Sequence, residues 1–118
     1  MPMTVIEQQV DKSYLAEVAK ERFGDLVKAV VDVQRRIMMI GAELHSDEEA
    51  ALLDQGSEQQ HLWGINIYPD KTGEEMIEFD SMINVRPSQG NRSRDVNDPL
   101  VRQQIKEIVK HLVREKNE

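Results

Sequence analysis

A chain of 118 residues, 39% hydrophobic and 31% charged, is sized for one globular domain spanning 1–118 and is too apolar for a disordered segment. Its net charge of −7 argues against non-specific nucleic-acid binding, which draws on many Lys and Arg contacts to phosphate. It has no cysteine, so disulfides and thiolate metal sites are excluded and a cytoplasmic location is expected; no apolar run approaches the ~18 residues of a membrane span, and MPMTVIEQQV lacks the pattern of a secretory signal.

In chain order, a short strand is expected within 4–9. Asp11 or Ser13 then stands where a helix cap belongs, and Leu15, Val18, Ala19 and Phe23 recur at helical spacing. Gly24 suits the left-handed residue that closes a helix, so the pattern predicts a helix over 12–23. LVKAVVDV (26–33) and RIMMIGAEL (36–44) are rich in strand formers and separated only by Gln34 and Arg35, which reads as a tight hairpin. A single helix across 26–44 is the rival, disfavoured by the valines and by Gly41. Ser46, followed by Asp47, Glu48 and Glu49, has the form of a capping box and predicts a helix over 47–55, ended by Gly56.

HLWGINIY (61–68) alternates with a period of two, placing Trp63, Ile65 and Ile67 on one face. The turn cluster 69–73 joins it to a strand starting at Met76 and sets Asn66 opposite Glu78. Gly64 then leaves room for a ligand or another backbone to approach. The strand is expected to run on through 79–86, with Ile77, Phe79, Ser81, Ile83 and Val85 facing one way and Glu78, Asp80, Met82, Asn84 and Arg86 the other, until Pro87 ends it. Asp98 and Pro99 open the last helix, whose stripe is Val101, Ile105, Ile108, Val109, Leu112 and Val113. The resulting order, β-α-β-β-α-β-β-α, predicts an α+β fold: a largely antiparallel sheet of hairpins with the helices packed on one face.

FGDLVKAVVDV, IGAELHSDEE, LWGINIYP and above all DSMINVRPSQGNRSRDV are similar to a small family of uncharacterised prokaryotic, mainly cyanobacterial, domains over about 12–113. That family carries Gly where this chain has Arg36 and Gly-Gly where it has Gly41 and Ala42. The resemblance implies no activity and no site residues.

Chemistry must therefore come from the residues. The loop 86–94 gathers Arg86, Arg92 and Arg94, whose planar forks suit phosphate and carboxylate, with Ser88 and Asn91 as short donors beside a turn at Gly90. With Asp80 and Asn84 positioning them, these residues point to a site for a phosphate-bearing small molecule or nucleotide. The rival is a structural loop in which the arginines pair with nearby acids. Glu43 and His45, two apart on an extended segment, form with Asp80 a weaker set for a divalent metal, hence a metal-dependent phosphoester hydrolase or nuclease; otherwise no cofactor is expected. Nucleophilic catalysis by Ser81, Ser88 or Ser93 lacks a G-x-S-x-G elbow. A homo-oligomeric interaction module without a small-molecule site is the third reading.

Overall fold

The strand Val27–Asp32, β3, is buried on both faces, and that decides the architecture. Of its residues only Lys28 is not fully buried. Val27, Ala29 and Val31 join one apolar cluster and Val30 joins another. The computed structural model describes residues 3–115. In it β3 lies at the centre of a five-stranded antiparallel sheet ordered β1-β4-β3-β5-β6, formed with β1 (Thr4–Ile6), β4 (Ile37–Ile40), β5 (Leu62–Ile67) and β6 (Ile77–Glu78). A strand that is apolar on both sides needs a cover on each.

The larger cover is made by α1 (Lys12–Arg22) and α3 (Pro99–Leu112). Leu15, Val18 and Ala19 of α1, with Ile105, Ile108, Val109 and Leu112 of α3, pack on Trp63, Ile65 and Ile67 of β5. Each buried Leu, Ile or Val among them contributes about 1.5–3 kcal/mol by leaving water. The other face is covered by α2 (His45–Asp54), whose Leu52 packs with Val30, Ile37, Met39 and Leu62. The α+β class and the antiparallel sheet match the sequence expectation. The placement of all helices on one face does not, because the alternating valines of β3 serve two cores at once.

Local chemistry explains most boundaries. Gly24 takes φ +92° and its N–H bonds Ala19 O at 2.7 Å, closing α1 as expected. Asp98 caps α3 by accepting from Leu100 N–H at 2.9 Å, with Pro99 in the first turn. The β3–β4 hairpin forms, but its connection spans 33–36. Asp32 Oδ1 accepts from the N–H groups of Gln34 and Arg35 at 2.9 and 3.0 Å, and Arg36 takes the left-handed φ of +60°. A glycine adopts that conformation without the ~1–2 kcal/mol cost that a Cβ brings.

Three expectations are corrected. The capping box is not used: α2 starts at His45, no side chain caps it, and Glu48 is instead buried against the sheet, accepting from Ala42 N–H at 3.0 Å. Asp11 does not cap α1, because its carboxylate bonds Arg114 of a short parallel ribbon between β2 (Val10–Asp11) and β7 (Val113–Arg114). The strand expected over 77–86 stops at Glu78. Phe79 packs with the α1–α3 core, Ile83 with the α2 core, and Val85 is exposed. The segment crosses the sheet edge rather than extending it. Among the described residues, no helix is long and apolar enough to cross a membrane.

Candidate functional site

The pairing of β5 with β6 is in the expected register, Asn66 opposite Glu78. β5 also pairs with β3, where Asn66 lies opposite Lys28. Residues directly opposite on paired strands share a face, so Lys28, Asn66 and Glu78 form a polar row on the α2 side of the sheet. Just beyond α2, this row replaces the apolar Val30.

The segment 79–94 crosses that face and is held there by side chains. Beyond Glu78, no strand among the described residues pairs with the outer edge of β5, and its backbone groups must be satisfied otherwise. Asn84 does this for Gly64: its Oδ1 accepts from Gly64 N–H at 2.8 Å and its Nδ2 donates to Gly64 O at 3.0 Å. Arg86 donates to the carbonyls of Leu62 and Gln59 and lies 4.2 Å over the Trp63 ring. Burial pulls its pKa down from the usual arginine value. Asn91 Nδ2 donates to three carbonyls, those of Asn84, Ser93 and Asp95, and its Oδ1 accepts from Asn97 N–H. The backbones of Arg86 and Asn91 bond each other across the turn at Gly90, whose φ is +80°.

The residues singled out in the sequence thus divide. Asn84, Arg86 and Asn91 are buried and engaged by the protein itself. Ser88 and Arg92 are exposed, and no hydrogen bond or ion pair of their side chains is found among the described residues. Arg94 pairs with Asp80 at 2.6 Å, both half-exposed. Glu43 turns to Arg22 at 3.3 Å, on a different groove from His45, so Glu43, His45 and Asp80 are not assembled as one set. No group of three acids or histidines poised for a metal occurs among the described residues.

The structure does bring His45, Asp80 and Arg94 together. With Lys28, Asn66 and Ser81 they line a recess of about 190 Å³ between the first turn of α2 and the 80–83 segment. Leu44 and Met82, 54% and 66% exposed, are its apolar lips. Larger grooves of about 720 Å³ beside β1 and 680 Å³ beside Arg22 are open and are lined by none of the orphaned buried polar atoms found among the described residues. The small recess is lined by one, Asn66, whose Oδ1 is buried with no partner.

His45 is anchored by a 2.8 Å bond from Nε2 to Ile65 O. Burial lowers its pKa, the Ile65 bond raises it by less, and Lys28 and Arg94 oppose Asp80 in smaller measure. The ring is therefore neutral at pH 7. Because Ile65 O can only accept, the proton is on Nε2 and the lone pair on Nδ1. This arrangement cannot activate a serine through Nε2, and Ser81 Oγ accepts from Ile83 N–H at 3.3 Å.

Lys28 and Asn66 were not singled out as site residues in the sequence. Alternation places each on a polar face, but nothing in it says that β3 and β5 are neighbours.

Among known protein families, a family model described as "Protein of unknown function (DUF5674)" matches residues 4–112. No curated protein and no solved structure matches the chain.

Proposed function

The chain belongs to that family, which brings no chemistry with it, and from the geometry alone we propose that this is a cytoplasmic domain that binds a small anionic ligand in the recess at the start of α2. The observation that carries the reading is the placing of two cations, Lys28 and Arg94, at one small hollow beside the positive end of a ten-residue helix. Lys28 has no ion-pair partner among the described residues; its Nζ lies 5.3 Å from the Phe23 ring. Arg94 shares its charge with Asp80 through Nε, which leaves the fork ends for a ligand. The neutral His45 adds no charge.

This reading keeps Asp80 and Arg94 from the arginine-loop expectation and His45 from the metal expectation. It replaces Arg86, Asn84 and Asn91 as ligand contacts by Lys28 and Asn66. The lack of cysteine fits a reducing compartment.

The test is calorimetric titration of the full chain with acetate and with inorganic phosphate. Saturable binding of either, weakened about tenfold by Lys28→Gln and by Arg94→Gln, is expected, since each charged hydrogen bond is worth about 1.5–3 kcal/mol. Binding that both variants retain unchanged would sink the reading.

A further inference from the structure

One atom at the recess is a buried acceptor with nothing to accept. Asn66 is only 8% exposed, and its Nδ2 is fixed by the Glu78 carboxylate at 2.9 Å. A carboxylate can receive only the N–H end of an amide, so the opposite end, Oδ1, is the orphan. A bare anion would bring only a further acceptor to this atom. A buried polar atom left unpaired costs about 1–3 kcal/mol, so the complementary ligand carries a donor as well as a charge.

The charge it carries follows from the lining. Lys28 and Arg94 are opposed by Asp80, so with His45 neutral the lining sums to one positive charge, and the Glu78 carboxylate behind Asn66 offsets part of it. One negative charge is therefore the most that the recess balances. A dianionic phosphate leaves one negative charge uncompensated in a half-enclosed site. The volume, about 190 Å³, holds about six heavy atoms at the ~30 Å³ that a water-sized group occupies.

We infer that the recess recognises a small monocarboxylate bearing a hydroxyl on the neighbouring carbon: the carboxylate meets Lys28 and the free edge of Arg94, and the hydroxyl donates to Asn66 Oδ1. This rests on the anion-binding reading above and adds the class of ligand. The exposed Leu44 and Met82 at the mouth take the ligand's hydrocarbon end.

The experiment compares propionate, lactate, alanine and inorganic phosphate on the full chain by calorimetry, with ¹⁵N NMR of the asparagine side-chain amides as a second readout that needs no substitution. Lactate is expected to bind about tenfold more tightly than propionate, the value of one added hydrogen bond. The Asn66 side-chain amide resonance is expected to move on adding lactate and to stay in place with propionate. Alanine, whose ammonium group cancels the charge of its carboxylate, is expected to bind more weakly than lactate. In Asn66→Ala, checked for folding by circular dichroism, the preference over propionate is expected to fall to about twofold. Equal affinity for propionate and lactate overturns the donor inference but leaves anion binding standing, and alanine binding more tightly than lactate overturns the monoanion inference. Phosphate binding more tightly than every carboxylate overturns the monoanion inference. No binding of any of the four overturns both readings.

Discussion

Asn84 bonds both the N–H and the C=O of Gly64, at 2.8 and 3.0 Å, so one side-chain amide occupies the place of a neighbouring strand. The contact needs Gly64 to lack a side chain. A Cβ built there would lie 2.6 Å from Cβ and Oγ of Ser81 and 3.2 Å from Cδ2 of His45. Gly64→Ala is therefore expected to lift the 81–84 segment and destabilise the fold by about 1–3 kcal/mol. Asn84→Ala, which orphans two backbone groups and removes the bond to Arg94 O, is expected to cost about 2–4 kcal/mol. Urea denaturation of both single variants and the double variant checks this. The double variant should be clearly less destabilised than the sum, because the two residues share one interaction. Full additivity would mean the amide pairing contributes nothing.

Arg86 and Arg92 look alike in the sequence, and the fold separates them. Arg86 donates to two carbonyls and stacks on Trp63, whereas Arg92 is exposed. Arg86→Ala is expected to lower stability by about 3 kcal/mol and Arg92→Ala by less than about 0.5 kcal/mol. Arg86→Lys should recover only part of the loss, since an ammonium group has neither the fork nor the stacking plane. Thermal melting of the three variants distinguishes these outcomes; equal effects of Arg86→Ala and Arg92→Ala would contradict the structural role given to Arg86.

Glu48 is fully buried, and burial pushes its carboxyl up to about 9. The pKa in the folded state is above the unfolded value near 4.5, so the folded chain holds the proton more tightly. The stabilisation linked to that proton is complete below pH 4.5 and is lost as pH rises through 9. Stability should therefore fall by roughly 2–4 kcal/mol between pH 5 and 8. His45, lowered by burial, acts on the other side: its contribution is present above 6.5 and lost as pH falls. Glu48→Gln, which keeps an acceptor for Ala42 N–H, isolates the carboxyl. The difference between its denaturation curve and that of the parent should grow steadily from pH 5 to 8. A constant difference would show that Glu48 is not buried as a neutral acid.

Much of the fold was legible because it follows from local rules. Helical spacing located α1 and α3, Gly24 and Asp98 marked their ends, and two-residue alternation with a turn cluster set Asn66 against Glu78. These depend on residues near one another in the chain. The failures have the opposite character. Ser46 and Glu49 satisfied a local capping pattern, yet Glu48 is buried against the sheet, and that burial involves Ala42 and the α2 face of β3 and β4. Phe79, Ile83 and Val85 alternated like a strand, yet they go to one core, the other core and solvent, because the segment crosses an edge.

By itself the sequence determined the α+β class and the antiparallel hairpins, since propensity, periodicity and caps act over a few residues. Only the tertiary structure decided that β3 lies beside β5, that α2 covers the second face, and hence that Lys28 and Asn66 meet His45, Asp80 and Arg94 at one recess. The arginines of one loop were likewise sorted only in three dimensions: Arg86 was drawn inward by unpaired carbonyls, Arg94 was held at the rim by Asp80, and Arg92 was left to water. The physical reason is that the pairing of distant strands, and the satisfaction of their outward backbone groups, depend on the whole packed arrangement and leave no periodic mark on either segment.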